Sequence, residues 1–412
     1  MIGRISSVQI YRSGLESILE AQARLTRVQE QVATGKRILT PSDDPGAAAE
    51  IIRLRSELNQ VGAYQRNADQ AINSLLFEEG AIAGAETVLQ RVRELAIQGA
   101  NDALLSAEDR EIIASEIEGL RDSLINIGNT RNADGEYIFA GDTVNTEAFS
   151  EAGGVVTDGE AGGVVNYNGS GGPRFINIAS GIRIQVNDTG ADLFQNAPAG
   201  NGAFEVLVPD ANVGTGIVRT TGFDNSYTGA EDYTISFSTG GSGQLQYTVT
   251  GSVSGALGAA QDYVAGEAIT FAGANVVIEG EPDVTDTFQV VSGQTQGAFD
   301  TLTELAAALR TGGSPDDDAK RISRVGAAIQ NLDANLGQMS KVRTDLGARL
   351  NRVEEQITLN DTFNLQVEST ISNLEDLDFA TAITELNLQL VALEAAQQSY
   401  VKTQNLSLFN YL

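Results

Sequence analysis

The 412-residue chain contains no cysteine, no histidine and no tryptophan. Without cysteine there is no disulfide framework and no thiolate chemistry. Without histidine as well, Cys/His zinc sites and the common Ser-His and Cys-His nucleophile pairs cannot be built. Basic residues are scarce too: 26 Lys+Arg stand against 55 Asp+Glu, for a formal charge of −29 and a pI near 4.2. Such a surface repels nucleic acid and anionic lipid, so neither is expected as a partner. No apolar run reaches membrane-spanning length, and the opening segment Met1–Glu20 has no signal-peptide core. No cofactor or metal is expected. Stability in a chain of this kind has to come from packing or assembly.

What is present is 42% apolar and 20% charged, the balance of a folded protein, and the length suits two or three domains. Three regimes follow one another. Residues 1 to about 141 read as helices, about 142 to 297 as glycine-rich strands, and 298 to 412 as helices again. The middle regime holds 27 of the 44 glycines. The predicted fold class is α+β, a long helical-bundle rod formed by the N- and C-terminal segments with an inserted antiparallel β region. The expected domains are a terminal helical assembly domain (1–45 plus 376–412), a helical rod (46–145 plus 298–375) and a β domain of one or two modules (146–297).

The clearest periodicity lies in the C-terminal half. Ile322, Val325, Ile329, Leu332, Leu336, Met339, Arg343, Leu346, Leu350, Val353 and Ile357 recur in alternating steps of three and four. That is the seam of a long helix packed at small crossing angles, and it continues through Asn360, Asn364, Val367, Ile371 and Leu374. A shorter seam runs through Ile383, Leu386, Leu390, Leu393, Gln397 and Tyr400. A looser one lies at Leu15, Ile18, Gln22, Leu25, Val28 and Val32. Isolated helices of this length are marginal, so the terminal segments are expected to pair with each other, with neighbouring subunits, or both. Leu15, Ile18, Leu25, Val28, Val32, Ile383, Leu386, Leu390, Leu393 and Tyr400 are accordingly the candidate assembly residues. For residues 322 to 357 the rod's own core is the expected burial.

Pro41-Ser42-Asp43-Asp44-Pro45 interrupts the first helix, and Pro315-Asp316-Asp317-Asp318 opens the long one. Asp44 suits a helix cap and Pro45 a first turn. Each aspartate cluster reads as a cap or solvated loop, with a cation site as the alternative. Runs such as Phe175–Ile178, Ile182–Val186, Tyr233–Phe237, Gln246–Val249 and Val276–Ile278 alternate apolar and polar residues between turn formers, as strands do. The glycine clusters at 169–172 and 240–243 precede no helix and read as turns, not phosphate cradles. No two carboxylates of the insert sit in a recognisable hydrolytic motif, so no enzymatic activity is expected.

Ala33-Thr34-Gly35-Lys36-Arg37-Ile38 with Pro41 to Ala48, the stretch Leu89 to Asn101, and Leu105 through Ile113 together resemble the flagellin superfamily. Four further features resemble its hook-associated members more than filament flagellins: Asn129 to Gly141, Val165 to Phe194, Tyr263 to Phe271 with Glu281-Pro282 and Asp286 to Val290, and the ending Leu406 to Leu412. Thr285 departs from the glycine expected before Asp286. The resemblance implies a structural adapter at the hook–filament junction, with filament-forming flagellin as the alternative. It implies export without a cleaved signal peptide to an extracellular site. The implied partners are other copies of the chain in a ring or layer, hook-associated protein 1, flagellin and a flagellar export chaperone.

Overall fold

The structure is a computed structural model that describes residues 7–101, 105–151, 164–241 and 243–405. Its helices are α1 (Ser7–Thr34), α2 (Pro45–Gly99), α3 (Ala107–Gly128), α4 (Gly190–Phe194), α5 (Ala298–Arg310), α6 (Pro315–Glu375) and α7 (Phe379–Asn405), with all strands lying between Phe149 and Gln296. The fold is α+β, as the three sequence regimes imply. No helix among the described residues is long and apolar enough to cross a membrane. The chain divides into two compact units, residues 1–66 with 355–412, and residues 67–354.

In α6 the predicted seam resolves into one fully buried row. Val325, Leu332, Met339, Leu346 and Val353 are each 0% exposed, and the row continues through Asn360 and Val367. Residues spaced by seven stay on one face only when helices wrap at a small angle. Arg343, in the companion row, instead spans Glu79 and Glu86 of α2 at 2.7 and 2.8 Å. The matching row of α2 is Ala68, Ala71, Leu75, Ile82, Ala85, Leu89, Val92 and Ala96, and Glu78 occupies the place between Leu75 and Ile82. At the start of α3, Ser106 and Asp109 form a reciprocal capping box. Arg310 of α5 ties to Glu111 and Glu118 of α3.

The strands form one larger module and several small pairs. Phe204–Leu207 pairs with Thr287–Ser292, which pairs with Tyr233–Thr239, then Leu245–Gly251, all antiparallel. A second sheet joins Ala268–Phe271, Ala274–Glu279 and Ile217–Phe223. The apolar sides of both sheets bury Phe204, Ile235, Phe237, Ile269, Val276, Ile278, Phe288 and Val290 in one core. The stretch 165–194, read from sequence as β, also contains the short helix α4, whose N-cap is Thr189. The turn before Asp286 closes without glycine. Thr285 donates its N–H and hydroxyl to Asp283, while the Asp286 carboxylate accepts from the Val213, Gly214 and Asp283 amides. A separate aromatic cluster, Phe139, Phe149, Phe194 and Phe299, joins the small hairpins to α5 with ring centroids 4.9 to 5.5 Å apart. Gly128 and Gly190 make room for it, because a Cβ on either would lie 2.7 Å from the Phe149 ring.

Candidate assembly interface

Within the unit formed by residues 1–66 and 355–412, α1 and α7 pair antiparallel. Gly14 sits under the Tyr400 ring and Gly35 under the Phe379 ring, one at each end of the pair. Carrying that register inward sets Ala21 level with Leu393 and Val28 level with Leu386. Tyr11 adds an edge-on contact to Tyr400 at 6.1 Å.

The candidate residues divide on this geometry. Leu25 and Val28 are buried, and Ile18, Val32, Leu386, Leu393 and Tyr400 are half-buried. Leu15, Ile383 and Leu390 are 50%, 49% and 45% exposed and lie outside the pair. The ending Leu406 to Leu412 and the first six residues lie outside the described residues.

The two helices differ in kind. α1 is amphipathic, with Arg12, Glu16, Glu20, Arg24, Arg27 and Glu30 on its polar side. In the described part of α7 the only charged residues are Glu385, Glu394 and Lys402. Beyond its α1-facing side, Ile383, Leu388, Leu390, Val391 and Val401 are all exposed. Large apolar side chains thus project from more than one side of α7, yet in the single chain only the side against α1 is covered. Leu388 and Val391 were not among the sequence candidates. The sequence signal for them is the scarcity of charge around the whole helix, which the three-and-four spacing does not carry.

The two links into this pair form an antiparallel bridge at Lys36 and Asp376. The Arg37 N–H donates to the Glu375 carbonyl at 2.7 Å, and the Leu377 N–H to the Gly35 carbonyl at 2.9 Å. The Glu375 carboxylate bridges Lys36 and Arg55, both at 2.6 Å, and the Arg37 guanidinium reaches the Leu374 carbonyl at 2.7 Å. Burial works against charge on Glu375, but its bonds to Lys36 and Arg55 prevail and hold the carboxyl below its ordinary value. Asp43 accepts the Leu39 and Thr40 amides and pairs with Arg27, and Asp44 accepts the Ala47 amide at the start of α2. Both aspartates therefore act as turn and cap groups. Among the described residues no cluster of three or more acidic groups is placed to hold a metal.

The described chain thus offers a helical platform with an uncovered apolar face. Residues 5–143 match the bacterial flagellin N-terminal helical region, and residues 329–412 match the bacterial flagellin C-terminal helical region. Together these cover more than half of the chain. The chain belongs to the flagellin family. It is 25% identical over 411 residues to flagellar hook-associated protein 3 of Escherichia coli strain K12, covering 98% of each chain. Among solved structures it resembles flagellar hook-associated protein 3 of Legionella pneumophila, with 29% identity and a TM-score of 0.74 over 79% of this chain and 98% of that one. A second structure from that organism, the flagellar junction protein FlgL, matches at 29% identity and a TM-score of 0.70, over 79% and 100%. In this flagellin-family chain the family match takes in the whole of α1, α2, α3 and α7 and the part of α6 from residue 329 onward.

Proposed function

We propose that this protein is a structural adapter at the hook–filament junction of the bacterial flagellum, without enzymatic activity. The observation that carries the reading is α7, a helix suited to burial whose apolar residues stay exposed on the sides turned away from α1. The match to hook-associated protein 3, by sequence along nearly the whole chain and by fold with a TM-score of 0.74, supports the junction position. The protein leaves the cell without a cleaved signal and takes its place in a layer of identical subunits. One side of that layer receives hook-associated protein 1 and the other accepts flagellin. A flagellar export chaperone holds the free chain before assembly.

In the mechanism proposed, neighbouring subunits cover the Ile383, Leu388, Leu390, Val391 and Val401 side chains of α7, together with Leu15 of α1. Removing that area from water offsets the entropy of ordering the terminal helices, so folding of the ends and assembly are coupled. The β region faces solvent and supplies bulk. The assembly domain is residues 1–45 plus 376–412, the rod 46–145 plus 298–375, and the β domain 146–297.

An order-of-addition assay tests this reading. Hook fragments bearing hook-associated protein 1 are incubated with or without this protein, washed, and given flagellin. Filament growth is expected only from fragments that received the protein first. Equal growth without it removes the adapter role.

A further inference from the structure

Glu78 stands in the buried row of α2, where every neighbouring position is apolar, and is 1% exposed. One carboxyl oxygen accepts the Asp188 N–H at 2.6 Å, and the other, Oε2, has no hydrogen-bond partner in the protein. Asp188 lies in the turn between the strand Ile182–Gln185 and α4. Its own carboxylate is held by Arg349 of α6 at 2.8 and 2.9 Å and by Gln185 at 2.8 Å. The remaining charges facing the site are Asp345 on α6, near Arg349, and Arg174 ahead of the strand Phe175–Ala179, itself bonded to Glu136. On its own helix the adjacent Glu79 is engaged by Arg343. One guanidinium, already occupied by Asp188, is thus the nearest positive partner for two carboxyl groups.

We propose that Glu78 is a proton-operated fastening that holds the Asp188 turn against α2 and α6. As the neutral acid, Glu78 accepts the Asp188 amide while Arg349 serves Asp188 alone. As the carboxylate, it accepts that amide more strongly, but burial and the second negative charge placed against Asp188 outweigh the gain, and the turn loosens. Burial first, and then the Asp188 charge, push the Glu78 carboxyl up to about 8. A raised carboxyl pKa means the folded chain holds the proton more tightly than the unfolded chain. Stability from this group is therefore complete below the ordinary glutamate range, declines as pH rises towards about 8, and is level above it.

The test uses the full chain. Carboxyl-stretch infrared spectra are recorded from about pH 6 to about pH 9.5 on the wild type and Glu78→Gln, alongside melting temperatures. The wild type is expected to lose a protonated-carboxyl band with a midpoint near 8, and Glu78→Gln to lack it. The wild-type melting temperature is expected to fall across that window and that of Glu78→Gln to stay level. Should Glu78→Gln fail to fold, Asp188→Asn decides, since losing the neighbouring charge lowers the midpoint by about one unit, a tenfold change in proton affinity. A wild type with no such band, a Glu78→Gln slope equal to wild type, or a midpoint unmoved in Asp188→Asn overturns the proposal.

Discussion

Leu390→Asp separates the exposed face of α7 from its paired face. In the single chain Ile383, Leu388, Leu390, Val391 and Val401 keep between 45% and 64% of their surface exposed. Fully burying such a side chain is worth roughly 1.5–3 kcal/mol, so completing the burial of one contributes about 1 kcal/mol, and of all five about 5 kcal/mol per subunit. Leu390→Asp forfeits about 1 kcal/mol and adds an unpaired carboxylate in the interface, costing about 2 kcal/mol more. The loss of about 3 kcal/mol raises the concentration needed for assembly on the order of a hundredfold. Because Leu390 lies outside the α1–α7 pair, the free chain should melt within about 0.5 kcal/mol of wild type. Sedimentation across a concentration series gives the assembly threshold, and circular dichroism gives the melting curve. Assembly at the wild-type threshold refutes the reasoning, and so does a large fall in the melting temperature of the free chain.

Two further outcomes follow from the same unit. Glu375 is held below its ordinary value, so its bridges to Lys36 and Arg55 contribute stability above the usual glutamate range, which is lost as pH falls through the folded value. Circular dichroism melting between about pH 3 and pH 6 should show a shallower acid-side loss in Glu375→Gln than in wild type, the remainder belonging to other lowered carboxyls such as Asp43, Asp44 and Asp378; equal slopes would remove Glu375 from the account. Gly14→Leu pushes a side chain into the Tyr400 ring, where even a Cβ would stand 2.8 Å away. Overpacking of about 1–3 kcal/mol exceeds the helix propensity gained by replacing glycine, about 0.8–1 kcal/mol. In the assembled protein, where the pair is ordered, amide exchange at the Gly14–Tyr400 end should therefore quicken several-fold; slower exchange would mean that the ring moves aside at little cost.

The long helices were legible because their pattern is local. Val325, Leu332, Met339, Leu346 and Val353 are spaced by seven in one stretch of chain, and burial follows that spacing directly. The strands were legible one by one, but their order was not. Phe204–Leu207 lies against Thr287–Ser292 across some eighty intervening residues, and no alternation within either strand encodes the other. In the terminal pair the apolar spacing marks Leu25, Val28 and Leu393, which α1 and α7 bury between them. Spacing alone does not divide residues that face the partner helix from those, such as Leu390, that face outwards. Gly14 escaped notice because a small residue under an aromatic ring has meaning only once the helices are side by side. Glu78 and Glu375 escaped for a related reason. An acidic residue in a helix reads as solvated until its neighbours in space are known.

Electron microscopy of the purified protein tests the central claim most directly, with samples incubated alone and with hook fragments bearing hook-associated protein 1. The junction account predicts a short terminal layer on the fragments and no free fibres. Long filaments formed by the protein alone would contradict it and assign the chain to the filament itself.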